Sequence, residues 1–260
     1  TPTLSSAASD VYKRQIVMLA TILCSNKSSN LYLKYLLSII LISIISLLLI
    51  KQPDIGQTLL VIFSWAVVIF TSGINIFFLL GFSLFVIVFI TYLVIFVPRF
   101  DYIYGRIFSF FNRDSGTHNF QSDKAIESIT SGGFFGKGIG EGTLKSRVPE
   151  AHTDYIISVI SEEFGVVAII LILLLFLILI YMVFKKINYE KNEKIKLILI
   201  GCVSVILMQA TIHIGVNIRL LPTTGMTLPF LSYGGSSIVS ISILSGMILN
   251  LTKRKINQQT

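Results

Sequence analysis

Glu150, His152, Asp154, Glu162 and Glu163 all fall within one short stretch, VPEAHTDYIISVISEEFG (148–165). A carboxylate or imidazole held beside a hydroxyl can accept its proton, so His152, beside Asp154, is a candidate general base. Asp154 and His152 each also have a plainer role. Thr153 or Asp154 could cap a helix starting near Tyr155, where the dipole favours negative charge. His152 could be an ordinary exposed loop histidine. At about 100° per residue, Asp154, Ser158, Ser161 and Gly165 share one helix face and Glu163 points the opposite way. Glu162 and Glu163 would lie roughly 12–14 Å further along. A carboxylate at that depth needs a cavity or a cationic partner, so both are expected in structural ion pairs.

Two other stretches are built for unusual backbone. SGGFFGKGIGEG (131–142) is glycine-rich but has no Walker spacing and follows no soluble strand. It is either a tight surface turn or a flexible loop over a substrate head group. RLLPTTGMTLPFLSYGGSS (219–237) breaks an apolar run with prolines and glycines, which is tolerated at membrane depth only when buried in protein or lining a cavity. Ser236 and Ser237 could cap the final helix, whose N-terminus could hold an anion. Cys24 and Cys202 lie in apolar runs without metal-ligand spacing and read as buried small hydrophobes.

The elements that must position these residues are membrane spans. Of 260 residues, 53% are hydrophobic and only 13% charged, about half the charge of a soluble domain; the mean hydropathy is +0.81. The expected fold is an all-α polytopic transmembrane bundle. Six spans are predicted, at Leu31–Ile50, Ile55–Gly73, Ile74–Val97, Tyr155–Phe184, Ile195–Ile218 and Gly234–Leu251. Residues 1–15 are polar, aperiodic and lack a signal-peptide core, so they are expected to be non-native or disordered. Ile16–Cys24 is the tail of an interrupted helix. The net charge of +8 does not point to nucleic acid, because the lysines cluster at 185–196 and beside Arg254, flanking spans. Those clusters mark the cytoplasmic side and place residues 98–153, a loop of about 56 residues, on the outer face.

At these motifs the chain resembles the shape, elongation, division and sporulation (SEDS) family, which comprises FtsW, RodA and SpoVE. KQPDIG is similar to its Q-P-D-x-G, SGGFFGKGIGEG to its G-G-x-x-G-x-G-x-G, PEAHTDYIISVISEEFG to its P-E-x-H-T-D-F-I-F-x-x-x-x-E-E-x-G, and LLPTTGMTLPFLSYGGSS to its C-terminal signature. EAHTD and TTGMTLP resemble the division branch. The family has ten transmembrane helices, so residues 16–260 are expected to supply the last six and part of a seventh, without the upstream Q-P-S-E motif. His213 stands where asparagine is usual and Arg219 where glycine is common.

The resemblance implies a glycosyltransferase that polymerises lipid II at the outer face of the bacterial cytoplasmic membrane, at the division septum. Asp154 matches the family's essential acidic residue and would be the general base, with Glu150 and His152 beside it. Arg106, Lys145 and Arg147 would meet the diphosphate of lipid II and of the leaving undecaprenyl pyrophosphate, and Ser236 would lie at the substrate site. A divalent cation, Mg or Mn, could assist, although no ligand cluster stands out. The implied partners are a class B penicillin-binding protein of the FtsI type and other septal membrane proteins. A lipid II flippase and a noncatalytic scaffold are the rival readings; broken segments suit a transport site, but the ionisable residues cluster at one surface rather than at the midplane.

Overall fold

A computed structural model describes residues 2–25, 30–52, 54–96, 100–111, 117–143, 148 and 150–253. The described residues are helical or irregular. The helices are α1 (Pro2–Leu23), α2 (Leu31–Lys51), α3 (Ile55–Thr71), α4 (Ile76–Phe96), α5 (Asp101–Phe111), α6 (Thr117–Gly132), α7 (Ile156–Tyr189), α8 (Glu193–Asn217) and α9 (Gly235–Thr252). α2, α7, α8 and α9 are long and apolar enough to cross a membrane; α3 and the stretch Ile76–Val86 of α4 are shorter apolar helices. Each predicted span corresponds to one of these helices.

The chain forms two compact units. One comprises residues 1–72, 175–208 and 234–260; the other comprises 73–174 and 209–233. In the first, Asp54 starts α3 by accepting a hydrogen bond from the Gln57 N–H at 2.9 Å, the usual work of an aspartate N-cap. Residues 1–15, expected to lie outside the fold, are helical from Pro2 onward. Lys13 and Gln15 are buried, and Gln15 Nε2 donates to the Val61 carbonyl at 3.1 Å. Gln15 thus finds a partner inside this unit. Ile16, Leu19, Leu60, Leu199 and Leu244 are core residues of this unit. Gly201 admits Ile16, whose Cγ2 would stand 2.6 Å from any Cβ added there.

The second unit is organised around a break in α7. Gly165 has φ 78° and ψ −178°, a conformation essentially reserved for glycine. The break frees the carbonyls of Glu162 and Glu163 and the N–H groups of Val166 and Val167. The glycine-rich loop takes all four. Lys137 N–H donates to Glu162 O at 2.9 Å and Gly138 N–H to Glu163 O at 3.0 Å; Val166 and Val167 donate to Gly133 O and Phe134 O at 3.0 and 3.3 Å. Approach this close excludes side chains, since a Cβ on Gly136 would lie 2.2 Å from Glu163 O. The loop is therefore neither a free surface turn nor a flap over a head group. It is a clamp that completes a broken helix, as buried polar backbone requires.

Candidate functional site

The turn before α7 carries the central carboxylate. Glu150 has φ 55°, and its carbonyl accepts from the N–H groups of Thr153 and Asp154 at 3.1 and 3.0 Å. Thr153 Oγ1 donates to the Glu150 carboxylate at 2.9 Å. The next three carbonyls are each held from the C-terminal part of the same unit. Tyr233 N–H donates to His152 O at 3.0 Å, Ser232 Oγ to Thr153 O at 2.7 Å, and Asn217 Nδ2 to Asp154 O at 3.1 Å. Asn217 and Ser232 are buried and their bonds part-buried, and together the three bonds hold the turn's backbone.

The Asp154 side chain projects into a cavity of about 250 Å³ lined by Arg106, Gln121, Glu150, Tyr155, Thr223 and Met226, among others. No backbone N–H among the described residues reaches its carboxylate, so the capping role is not taken up. α5 delivers Arg106, whose Nη1 donates to the Thr223 carbonyl at 3.2 Å. Burial pushes the Asp154 carboxyl up to about 6, the Glu150 charge pushes the same way, and Arg106 opposes both. The arrangement is a half-buried carboxylate that ionises near neutrality beside one fixed guanidinium. It can take up a proton, and it can hold an anion within the same space.

The structure thus brings Asp154, Glu150 and Arg106 together. His152 is exposed and lines no part of the cavity; its carbonyl, not its ring, is engaged. Ser236 lies in the first turn of α9, in the other unit. The cap of α9 is Gly234, without a side-chain hydrogen bond, which corrects the capping expected of Ser236 and Ser237. Lys145 and Arg147 lie outside the described residues. Among the described residues, no group of three His, Cys, Asp or Glu side chains is placed to hold a metal ion. Glu150 and Asp154 line one cavity, and one or two carboxylates together with substrate phosphates are the usual way a protein holds Mg2+.

Glu162 is fully buried. It pairs with Lys137 Nζ at 3.3 Å and accepts from Ser128 Oγ at 3.1 Å, as expected of a structural carboxylate. Glu163 accepts from the Gly140 N–H at 3.3 Å. His213 Nδ1 lies 2.7 Å from the Met226 carbonyl, so the histidine at this position ties α8 to the last loop. Arg219 pairs with Asp123 and has φ 57°, the left-handed region in which glycine is unstrained. Gln121, Asn217, Thr223 and Ser232 were not predicted as site residues; the SYGG part of the C-terminal signature is the one sequence signal that could have marked Ser232.

A model of the cell cycle protein family that groups FtsW, RodA and SpoVE matches residues 3–257. The chain belongs to this FtsW/RodA/SpoVE family. Among its relatives, a probable peptidoglycan glycosyltransferase FtsW of Caulobacter vibrioides is 34% identical over 212 residues, covering 80% of this chain and 52% of the relative. A protein of the same description from Enterococcus hirae is 31% identical over 234 residues, covering 85% and 59%. The chain therefore spans little more than half the length of these relatives. The fold also matches a solved peptidoglycan synthase complex with a TM-score of 0.67 at 24% identity, covering 99% of this chain and 83% of that one. The rod shape determining protein RodA of Thermus thermophilus aligns with a TM-score of 0.51 at 25% identity, over 96% of this chain and 78% of that one. This FtsW/RodA/SpoVE family member is a multi-pass membrane protein with the helical fold of its relatives.

Proposed function

We propose that the protein to which this chain belongs is a peptidoglycan glycosyltransferase of the cytoplasmic membrane, polymerising lipid II at the outer face during septal wall synthesis, with Asp154 as general base. The observation that carries this reading is the Asp154 carboxyl, raised to about 6 in a cavity that also holds Arg106. The names of the relatives and the solved synthase complex support the reaction class.

The acceptor's sugar hydroxyl enters the cavity and gives its proton to an Asp154 oxygen. Its oxygen forms the new bond to the donor's anomeric carbon as the bond from that carbon to the diphosphate oxygen breaks. Configuration inverts and undecaprenyl pyrophosphate leaves. Arg106, anchored on the Thr223 carbonyl, faces the developing diphosphate charge; Lys145 and Arg147 are further candidates for it, and no step runs through a metal. A class B penicillin-binding protein and other septal proteins are the proposed partners.

The test is lipid II polymerisation by the full-length parent with its partner. Asp154→Asn should lower glycan synthesis by about 10²–10⁴-fold, the range of a lost general base. Unchanged synthesis in that variant would sink the assignment. Lipid movement without polymerisation in either form would favour a flippase, and partner binding with neither activity would favour a scaffold. The broken backbone of α7, a feature that suits transport sites, has its free groups taken by the glycine-rich loop.

A further inference from the structure

We infer that the glycine-rich loop (132–142) is a membrane anchor, its Phe134, Phe135 and Ile139 side chains seated in the bilayer leaflet on the Asp154 side, at the boundary between head groups and acyl chains. Phe134, Phe135 and Ile139 are 75%, 85% and 79% exposed, an unusual state for large apolar side chains on a loop whose backbone is fastened down. The fastening sets their depth. From Val166 to Phe184 α7 carries no charged residue, and Lys185 and Lys186 follow. At a rise of ~1.5 Å those 19 or so residues measure about 28 Å, close to the ~30 Å of a bilayer's hydrocarbon core. With the lysines at one boundary, Gly165 falls at the other.

The loop is hydrogen-bonded at that level, through Gly133 and Phe134 to Val166 and Val167. The neighbouring α7 side chains Phe164 and Val167 are themselves 45% and 49% exposed, so the loop's apolar side chains continue a helix surface that faces lipid. Large apolar side chains such as phenylalanine and leucine bury at this boundary between head groups and acyl chains. The same insertion accounts for Lys137, which the loop carries to the buried Glu162 at 3.3 Å; a carboxylate at the edge of the hydrocarbon needs such a partner.

The experiment uses the full-length parent in lipid nanodiscs, in a background whose native tryptophans, Trp65 included, are replaced by phenylalanine. Phe135→Trp is compared with Ile170→Trp, a reference on the exposed face of α7. Lipids brominated near the head-group end of the acyl chain should quench Phe135→Trp strongly, and aqueous acrylamide only weakly. Ile170→Trp should lose more emission to bromines set deeper. If acrylamide quenches Phe135→Trp and shallow bromines do not, the loop stands in water or awaits a protein partner, and the inference is overturned. Ile139→Trp supplies the same reading should Phe135→Trp fold poorly. Fluorescence does not depend on whether the parent polymerises lipid II, so this inference and the proposed function fail separately.

Discussion

Asp154 sits between opposing influences. Burial and Glu150 raise its pKa while Arg106 lowers it, leaving the carboxyl at about 6. A general base works as the carboxylate, so the reaction should slow as pH falls through that value. Below about 6, kcat/KM for lipid II polymerisation should drop about tenfold per pH unit, and above it the profile should level. The neighbours set the direction of each shift. Arg106→Gln removes the charge that favours the carboxylate and should move the acid limb to higher pH. Glu150→Gln removes a repelling charge and should move it lower. Initial rates of the parent enzyme measured from acid to neutral pH check both; a limb that neither variant moves would mean that another group titrates.

α7 owes its shape to a break that the glycine-rich loop repairs. Gly165 has φ 78° and ψ −178°, and a Cβ there would meet Phe134 O at 2.2 Å. Gly165→Ala should therefore cost at least about 3 kcal/mol through strain and clash together, visible as a lowered Tm in detergent. Glu162→Gln keeps a partner for Ser128 but loses the Lys137 charge pair, and should cost less, about 1–2 kcal/mol. The turn before α7 depends on a second set of contacts, the bonds from Tyr233, Ser232 and Asn217 to three successive carbonyls. Because a shift of ~1 Å in a reacting group can cost about 10²-fold in rate, Ser232→Ala or Asn217→Leu should lower kcat by roughly 10–100-fold while KM changes little. Ser232→Thr, which keeps the hydroxyl, should recover part of the loss. A rise in KM with kcat intact would assign these residues to substrate binding instead.

For the whole molecule, the Asp154 turn precedes the 34-residue α7 in sequence, and the lysine cluster at 185–196 begins near the end of that helix. The proposed function requires the orientation that the positive-inside tendency favours, with the lysines in the cytoplasm and the Asp154 turn outside. In a background without Cys24 and Cys202, Phe120→Cys should react with a membrane-impermeant maleimide on intact cells. Lys191→Cys should react only after permeabilisation. The reverse pattern would put Asp154 on the cytoplasmic side and end the case for extracytoplasmic polymerisation.

Periodicity and composition were enough to determine the six apolar helices, four of which are long enough among the described residues to cross a membrane, because an apolar run of membrane length has few alternatives to a helix. Asp154, Arg106 and Glu150 were marked by the family resemblance, whereas position along the helix marked Glu162 as an ion-pair member, since a carboxylate there needs a partner. What the sequence could not supply was which partner: Lys137 comes from a loop that local pattern leaves free. The polarity of residues 1–15 likewise concealed Gln15, which bonds the Val61 carbonyl inside its unit. His152 and Ser236, close to Asp154 in sequence pattern or motif, do not line its cavity, whereas Asn217 and Ser232 reach its turn from far along the chain. Only the tertiary structure decided these matters, because hydrogen-bond partners distant in sequence are chosen by how helices pack, and a helix break such as Gly165 is stable only when another segment satisfies the backbone groups it frees.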